Sequence, residues 1–253
     1  MNRFMIALGL SLLASGCATH KPAPTTASTS STSTVTTTST STSTSSSTTK
    51  ASAAPAAAPI VIPANGLSLF DGSSLKGWAV TDFAGHGEVK AESGVLEVGM
   101  GATLSGVTWT NAAAVPTVDY EVSLEAKKID GSDFFCGLTF PVRDTHATLV
   151  MGGWGGSVTG ISSIDGSDAS ENETTKFFFY EKNRWYKIRI RVTAVRIEVW
   201  LDNDRVMNIE IADKKISLRA GDIDLNKPLG LATFQTTAAY RNIQLKRIAP
   251  GAK

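Results

Sequence analysis

Cysteine and histidine are both scarce in this chain of 253 residues, with two of the first and three of the second. Two cysteines cannot build a disulfide framework, so the fold must rest on a core. Three imidazoles leave little material for a histidine-based acid–base or metal centre. A charge surplus is also missing. Lys plus Arg total 24 and Asp plus Glu total 23, which removes the electrostatic footprint of a nucleic-acid binder. No long apolar run exists either. Phe4 to Leu13 is about ten residues, too short to cross a bilayer as a mature helix. Helical periodicity is hard to find anywhere past residue 65.

What the N-terminus does have is ordered. Asn2 and Arg3 give a positive start, the apolar run follows, and Leu13-Ala14-Ser15-Gly16-Cys17 closes it. Small residues before a cysteine let the chain enter a peptidase in extended form. The segment resembles the lipobox of bacterial lipoproteins, which implies removal of residues 1–16 and lipidation of Cys17. Several buried acyl chains, at about 0.8 kcal/mol per methylene, would hold the protein firmly on a membrane. Ala18 stands where an Asp would resemble an inner-membrane retention signal, so the expected location is the cell envelope, at the outer membrane. Cys136 then has no mature partner. It lies in the apolar run Phe134-Phe135-Cys136-Gly137-Leu138 and reads as a buried, inert thiol.

From 25 to 49 every residue is Ser or Thr except Ala27 and Val35, and 50–63 is rich in Ala and Pro. Such a segment has too few large apolar side chains to offset the entropy of ordering, so residues 17–64 read as a lipidated cysteine followed by a disordered linker. A coil of about 45 residues spans roughly 35–40 Å.

Residues 65–250 are the expected folded domain, long enough for one core. Strand signals recur through it, separated by Gly, Asn and Asp. Glu92-Ser93-Gly94 reads as a turn between Glu88–Lys90 and Val95–Val98. Tyr120, Val122, Leu124 and Ala126 alternate with Glu121, Ser123, Glu125 and Lys127, the period of a half-buried strand. Trp185 to Ile211 reads as strand, turn, strand, turn, strand. A turn at Ala194-Val195 pairs Arg191 with Glu198 and sets Arg189 beside Trp200; a turn one residue earlier would oppose Arg191 and Arg196, which repel. Asp202-Asn203-Asp204 makes the second turn. Many short antiparallel strands imply an all-β sandwich of two antiparallel sheets.

Several motifs, in order, carry a resemblance. They are Leu69-Phe70-Asp71-Gly72, Leu75-Lys76-Gly77-Trp78, Gly94-Val95-Leu96-Glu97-Val98, Asn183-Arg184-Trp185-Tyr186-Lys187-Ile188-Arg189-Ile190, Trp200-Leu201-Asp202-Asn203 and Arg241-Asn242-Ile243-Gln244-Leu245. Together, over about residues 67–248, they resemble the 3-keto-disaccharide hydrolase domain family, also described as a 3-keto-glucoside lyase and 3-keto-2-hydroxyglucal hydratase domain. The resemblance implies a concanavalin A-like jelly-roll fold and a carbohydrate ligand. It also implies cleavage of 3-keto-glycosides by elimination and hydration. A non-catalytic glycan-binding or surface-interaction module on the same fold is the alternative. The shared residues are mostly scaffold, so Trp78, Trp185 and Trp200 read as packing groups rather than sugar platforms.

Between the motifs, 149–174 departs from the family pattern, and candidate site residues are sought from Arg143 to Glu173 by their chemistry. Elimination next to a ketone needs a base and a partner for the developing oxyanion. His146 is the candidate acid–base group or ligand, against a plain loop histidine; His86, in a glycine-flanked loop, reads as a surface residue. Arg143 is the oxyanion or hydroxyl partner, against a surface salt bridge. Trp154, flanked by glycine pairs, is either a sugar platform or a core residue at a bulge, and Asn172 is a further substrate-binding candidate. Asp165, Asp168, Glu171 and Glu173 offer oxygens to a divalent metal, against a solvated polar loop.

Overall fold

The computed structural model describes residues 62–251. The signal segment, Cys17 and the Ser/Thr linker lie outside the described residues. Fifteen strands follow one another: β1 Leu67–Ser68, β2 Trp78–Val80, β3 Val89–Glu92, β4 Val95–Val98, β5 Leu104–Trp109, β6 Tyr120–Gly131, β7 Cys136–Val142 and β8 Thr145–Gly153. After them come β9 Val158–Ser162, β10 Lys176–Phe177, β11 Trp185–Val192, β12 Arg196–Leu201, β13 Asp204–Glu210, β14 Gly230–Phe234 and β15 Thr236–Arg247. One sheet runs β13-β12-β11-β6-β15-β4-β3, with β1 also on β15; the other runs β10-β9-β8-β7-β14-β5-β2. All pairings are antiparallel. The expected sandwich of two antiparallel sheets is what the chain forms.

Alternation decides which side chains meet between the sheets. Tyr120, Val122, Leu124 and Ala126 of β6 face Leu138 and Phe140 of β7 and Leu149 and Met151 of β8 in one core. Two tyrosines tie the layers with hydrogen bonds: Tyr120 Oη donates to the Pro141 carbonyl at 2.6 Å and Tyr240 Oη to that of Phe135 at 2.8 Å. Cys136 is fully buried among these groups, and burial pushes its thiol well above its ordinary range. Trp78 is buried edge-on against Trp109 and donates its indole N–H to the Leu69 carbonyl.

The hairpin β11–β12 pairs Arg191 with Glu198 and Arg189 with Trp200, the register that charge pairing favours. On this outer face Glu121 holds Arg189 and Arg191, and Arg189 stacks over Trp200 at 3.6 Å. Arg241 stands over Trp185 at 4.2 Å while bonding Glu125. Both tryptophans are thereby engaged by cations. Strands β2, β5 and β9 carry no clean alternation in sequence. Leu104-Ser105-Gly106-Val107-Thr108-Trp109 has a glycine and two hydroxyls where a period-two pattern is sought, because both of its faces are covered.

Candidate functional site: a groove on the outer face of the second sheet

In β8, Ala147, Leu149 and Met151 point into the core, so His146, Thr148 and Val150 point to the opposite face. There Thr148 and Val150 join Ser162, Phe134, Phe234 and Leu104 to floor a groove of about 420 Å3. Such a size suits a small ligand. Phe134 and Phe234 lie 6.0 Å apart as a tilted pair. Trp154 forms one wall, at the β8–β9 turn, and is 40% exposed. Its φ of +50° is uncommon for a bulky residue; the flanking glycines carry the rest of the bend.

A second wall is the segment from Arg219 to Ile223. It leads into a short 3-10 turn, Asp222–Asn226. Asn226 clamps that turn onto the sheet, since its amide donates to Thr81 Oγ1, the Val107 carbonyl and Thr108 Oγ1 at 2.9–3.0 Å. A methyl group at Gly230 would collide with that amide, and one at Gly160 would lie 2.8 Å from the Ala169 carbonyl oxygen. Glycine at these positions lets the covering loops rest directly on the strands.

Polar groups in the groove are few and fixed. The Arg219 guanidinium stands 5.7 Å from the Trp154 ring centre and pairs with Asp168 at 3.3 Å. Asp168 also accepts hydrogen bonds from Ser162 Oγ at 2.9 Å and Ser163 Oγ at 3.0 Å. Asp133 Oδ1 accepts from the Phe134 amide and its Oδ2 from the Gly155 amide, both at 2.8 Å, which fixes the carboxylate beneath the Trp154 turn.

The sequence candidates separate. Trp154 lines the groove. His146 lies on the same strand face as Thr148 and Val150 but opens into an adjoining basin with Asp224 and Lys227; Arg219, Ala220 and Gly221 border both hollows. Burial first, and then the Lys227 ammonium, hold the His146 imidazole below its ordinary proton affinity, with Asp224 opposing. Arg143 is absent from the linings of both hollows. Its guanidinium donates to the carbonyls of Ala212 and Lys214 at 3.5 and 3.2 Å, so it ties down a loop. Asn172 is likewise spent within the protein, tying its loop to β9: its amide donates to Ile161 and Ser167 carbonyls, and its oxygen accepts from Thr174.

The acidic loop does not assemble a cation site. Asp165 accepts from the Lys215 amide, Glu173 pairs with Lys214 at 2.7 Å, Asp168 turns to the serines and Arg219, and Glu171 is exposed. Among the described residues no group of three or more His, Cys, Asp or Glu side chains is placed to hold a metal ion. The donor set does not fit a divalent metal, because its carboxylates point to separate protein partners. Arg219, Asp133, Phe134 and Phe234 were not singled out from the sequence; none sits in a motif.

The chain is an all-β sandwich with an aromatic groove on one outer face, and its family makes it a carbohydrate-active β-sandwich domain. This chain belongs to the 3-keto-alpha-glucoside-1,2-lyase-like domain family, whose model matches residues 67–246. No curated protein matches it significantly. Among solved structures it is similar to the carbohydrate-binding module CBM66 from Bacillus subtilis, with 16% identity, 67% of this chain and 95% of that one covered, and a TM-score of 0.46. It is also similar to the Crh5 transglycosylase in complex with NAG, with 10% identity, coverage of 67% and 80%, and a TM-score of 0.43. A third similar structure comes from work on endo-acting O-glycanases of the human gut microbiota, with 10% identity, coverage of 72% and 100%, and a TM-score of 0.47.

Proposed function

We propose that the domain binds a glycoside in the groove against Trp154 and cleaves 3-keto-glycosides by elimination and hydration. The observation that carries this reading is Arg219, which borders both the aromatic groove and the His146 basin. The C3 ketone acidifies the proton at C2. His146, held neutral near pH 7 by its surroundings, takes that proton as general base. The C3 oxygen gains negative charge as the enolate forms, and the Arg219 guanidinium is the cation that borders both hollows. The electron pair then expels the C1 substituent, which takes the proton back from His146. Water adds across the double bond, giving net hydrolysis. Asp168 acts as a positioning residue by holding Arg219. No step is routed through a metal.

The test is turnover of a 3-keto-glucoside. His146→Ala and Arg219→Ala should each lower kcat/KM by roughly 100-fold or more, the scale of a lost acid–base group or oxyanion partner, with Tm little changed. Full activity in His146→Ala would refute the assignment. One observation favours a second reading: His146 opens into the basin, so acid–base group and aromatic wall occupy separate hollows. If the domain is a non-catalytic glycan-binding module, wild type turns nothing over and Trp154→Ala abolishes glycan retention.

For the whole chain we propose a lipid-anchored envelope protein, on the strength of Leu13 to Cys17. Fatty-acid labelling should mark the wild type and miss Cys17→Ser; equal label in both refutes anchoring.

A further inference from the structure

The alternation that buries Tyr120, Val122, Leu124 and Ala126 places Lys128 on the same inward side of β6. Lys128 is only 6% exposed. Its stem runs between the sheets, and its ammonium reaches the end of the sandwich, where it donates to the Asp133 carbonyl at 3.3 Å. That is one long hydrogen bond for a group with three donors. Burying an ammonium so sparsely satisfied is costly. The desolvation lowers its proton affinity, with Asp133 and Asp130 opposing and Lys182 adding.

The ammonium does not face solid protein. It lines a second hollow of about 520 Å3, with Ser132, Gly155 and Gly156 on one side and the run Phe177 to Tyr180 on the other. A methyl group at Gly156 would sit 3.5 Å from Lys128 Nζ, so glycine leaves the approach open. Phe177 and Phe179 are 73% and 87% exposed. Two such phenylalanines at the rim of one hollow are unusual on a protein surface. The hollow and the groove are neighbours along the chain. Asp133, Phe134 and Trp154 line the first, while their chain neighbours Ser132, Gly155 and Gly156 line the second. The charges near it come in opposite signs, since Asp130 is paired with Lys182 at 2.6 Å and the Asp133 carboxylate opposes the effect of desolvation on Lys128. The ligand chemistry that fits is neutral, rich in oxygen acceptors, and flat enough to lie on an aromatic ring.

We infer that this hollow is a second saccharide subsite, taking a further sugar residue of a neutral oligosaccharide whose first residues lie in the groove. Lys128 donates to ring or hydroxyl oxygens of that residue, and Phe177 and Phe179 meet its apolar face. The inference rests on the groove being a saccharide site, and it adds that the ligand is longer than a disaccharide.

The experiment is calorimetric titration of the mature domain with malto- and cello-oligosaccharides of two to five residues. Wild type should gain about tenfold in affinity when the chain grows past two residues, an extra contact worth about 1.4 kcal/mol. Phe179→Ala, at an exposed position, and Lys128→Met should lose that gain and keep disaccharide affinity. Trp154→Ala should weaken every length alike. Affinity that does not rise with length, or a rise that survives in both Phe179→Ala and Lys128→Met, overturns the second subsite and leaves the groove reading standing. Absence of binding at all lengths overturns the second subsite, and turnover of the 3-keto-glucoside then decides the groove reading by itself. Should Lys128→Met fail to fold, Phe179→Ala decides alone.

Discussion

Asp168 offers a prediction that separates two roles for one carboxylate. It accepts from the hydroxyls of Ser162 and Ser163, which are 3% and 5% exposed, and it pairs with Arg219, which is mostly exposed. Asp168→Ala strands both hydroxyls. A buried unsatisfied donor costs about 1–3 kcal/mol. The two hydroxyls are 3.4 Å apart and can turn partly to each other, so the joint loss is about 2–4 kcal/mol. For a domain of this size that lowers Tm by roughly 5–12 °C. Asp168→Asn retains the accepting oxygen and forfeits only the ion pair, about 0–1 kcal/mol at such exposure. Thermal and urea unfolding followed by circular dichroism would measure both. The reasoning fails if Asp168→Asn is as destabilising as Asp168→Ala, since the charge would then matter more than the hydroxyl acceptors. It also fails if Asp168→Ala is neutral. Released from its anchor, Arg219 should serve the groove less well, so Asp168→Asn should lower kcat/KM several-fold at unchanged Tm.

Other outcomes are checkable on the same domain. Tyr120→Phe removes the 2.6 Å bond to Pro141 and should cost about 1–2 kcal/mol by urea unfolding. Cys136 should resist a thiol reagent in the native state and react fully once the protein is unfolded. His146 has a folded proton affinity below its ordinary value of 6.5, so the unfolded chain binds the extra proton first; stability should be fully present above about pH 6.5 and fall as pH drops through the lower folded value. His146→Gln should flatten that slope in urea titrations between pH 7 and 5.

Local pattern carried the scaffold. Tyr120 to Lys127 alternates because one face is core and the other is solvent, and the β11–β12 register followed from keeping Arg191 away from Arg196. The groove was less visible because its partners come from distant segments. Asp165, Asp168 and Glu173 look like cation ligands in isolation; Lys214, Lys215 and Arg219, which claim them, lie some 40–50 residues further on, where no spacing rule reaches. Trp154 stood out because glycine pairs flank it. Lys128 also left a trace, as a charge at the next inward position after Ala126, a break in alternation that only a folded sandwich turns into a hollow.

The glycine seats at 160 and 230 have a consequence for how such a groove diversifies. The roof over the second sheet is made of loops pressed flat onto residues that have no side chain, so groove depth is set by what is missing beneath the loops. A single methyl at 230 would lift the Asn226 turn and with it the Arg219–Ile223 wall, and one at 160 would lift the Ala169 loop, whose Asp168 holds Arg219, while the strands below stay paired. Ligand preference in this architecture can therefore drift in steps of one carbon atom, with the core as an unaltered chassis and the two seats as separate height adjustments.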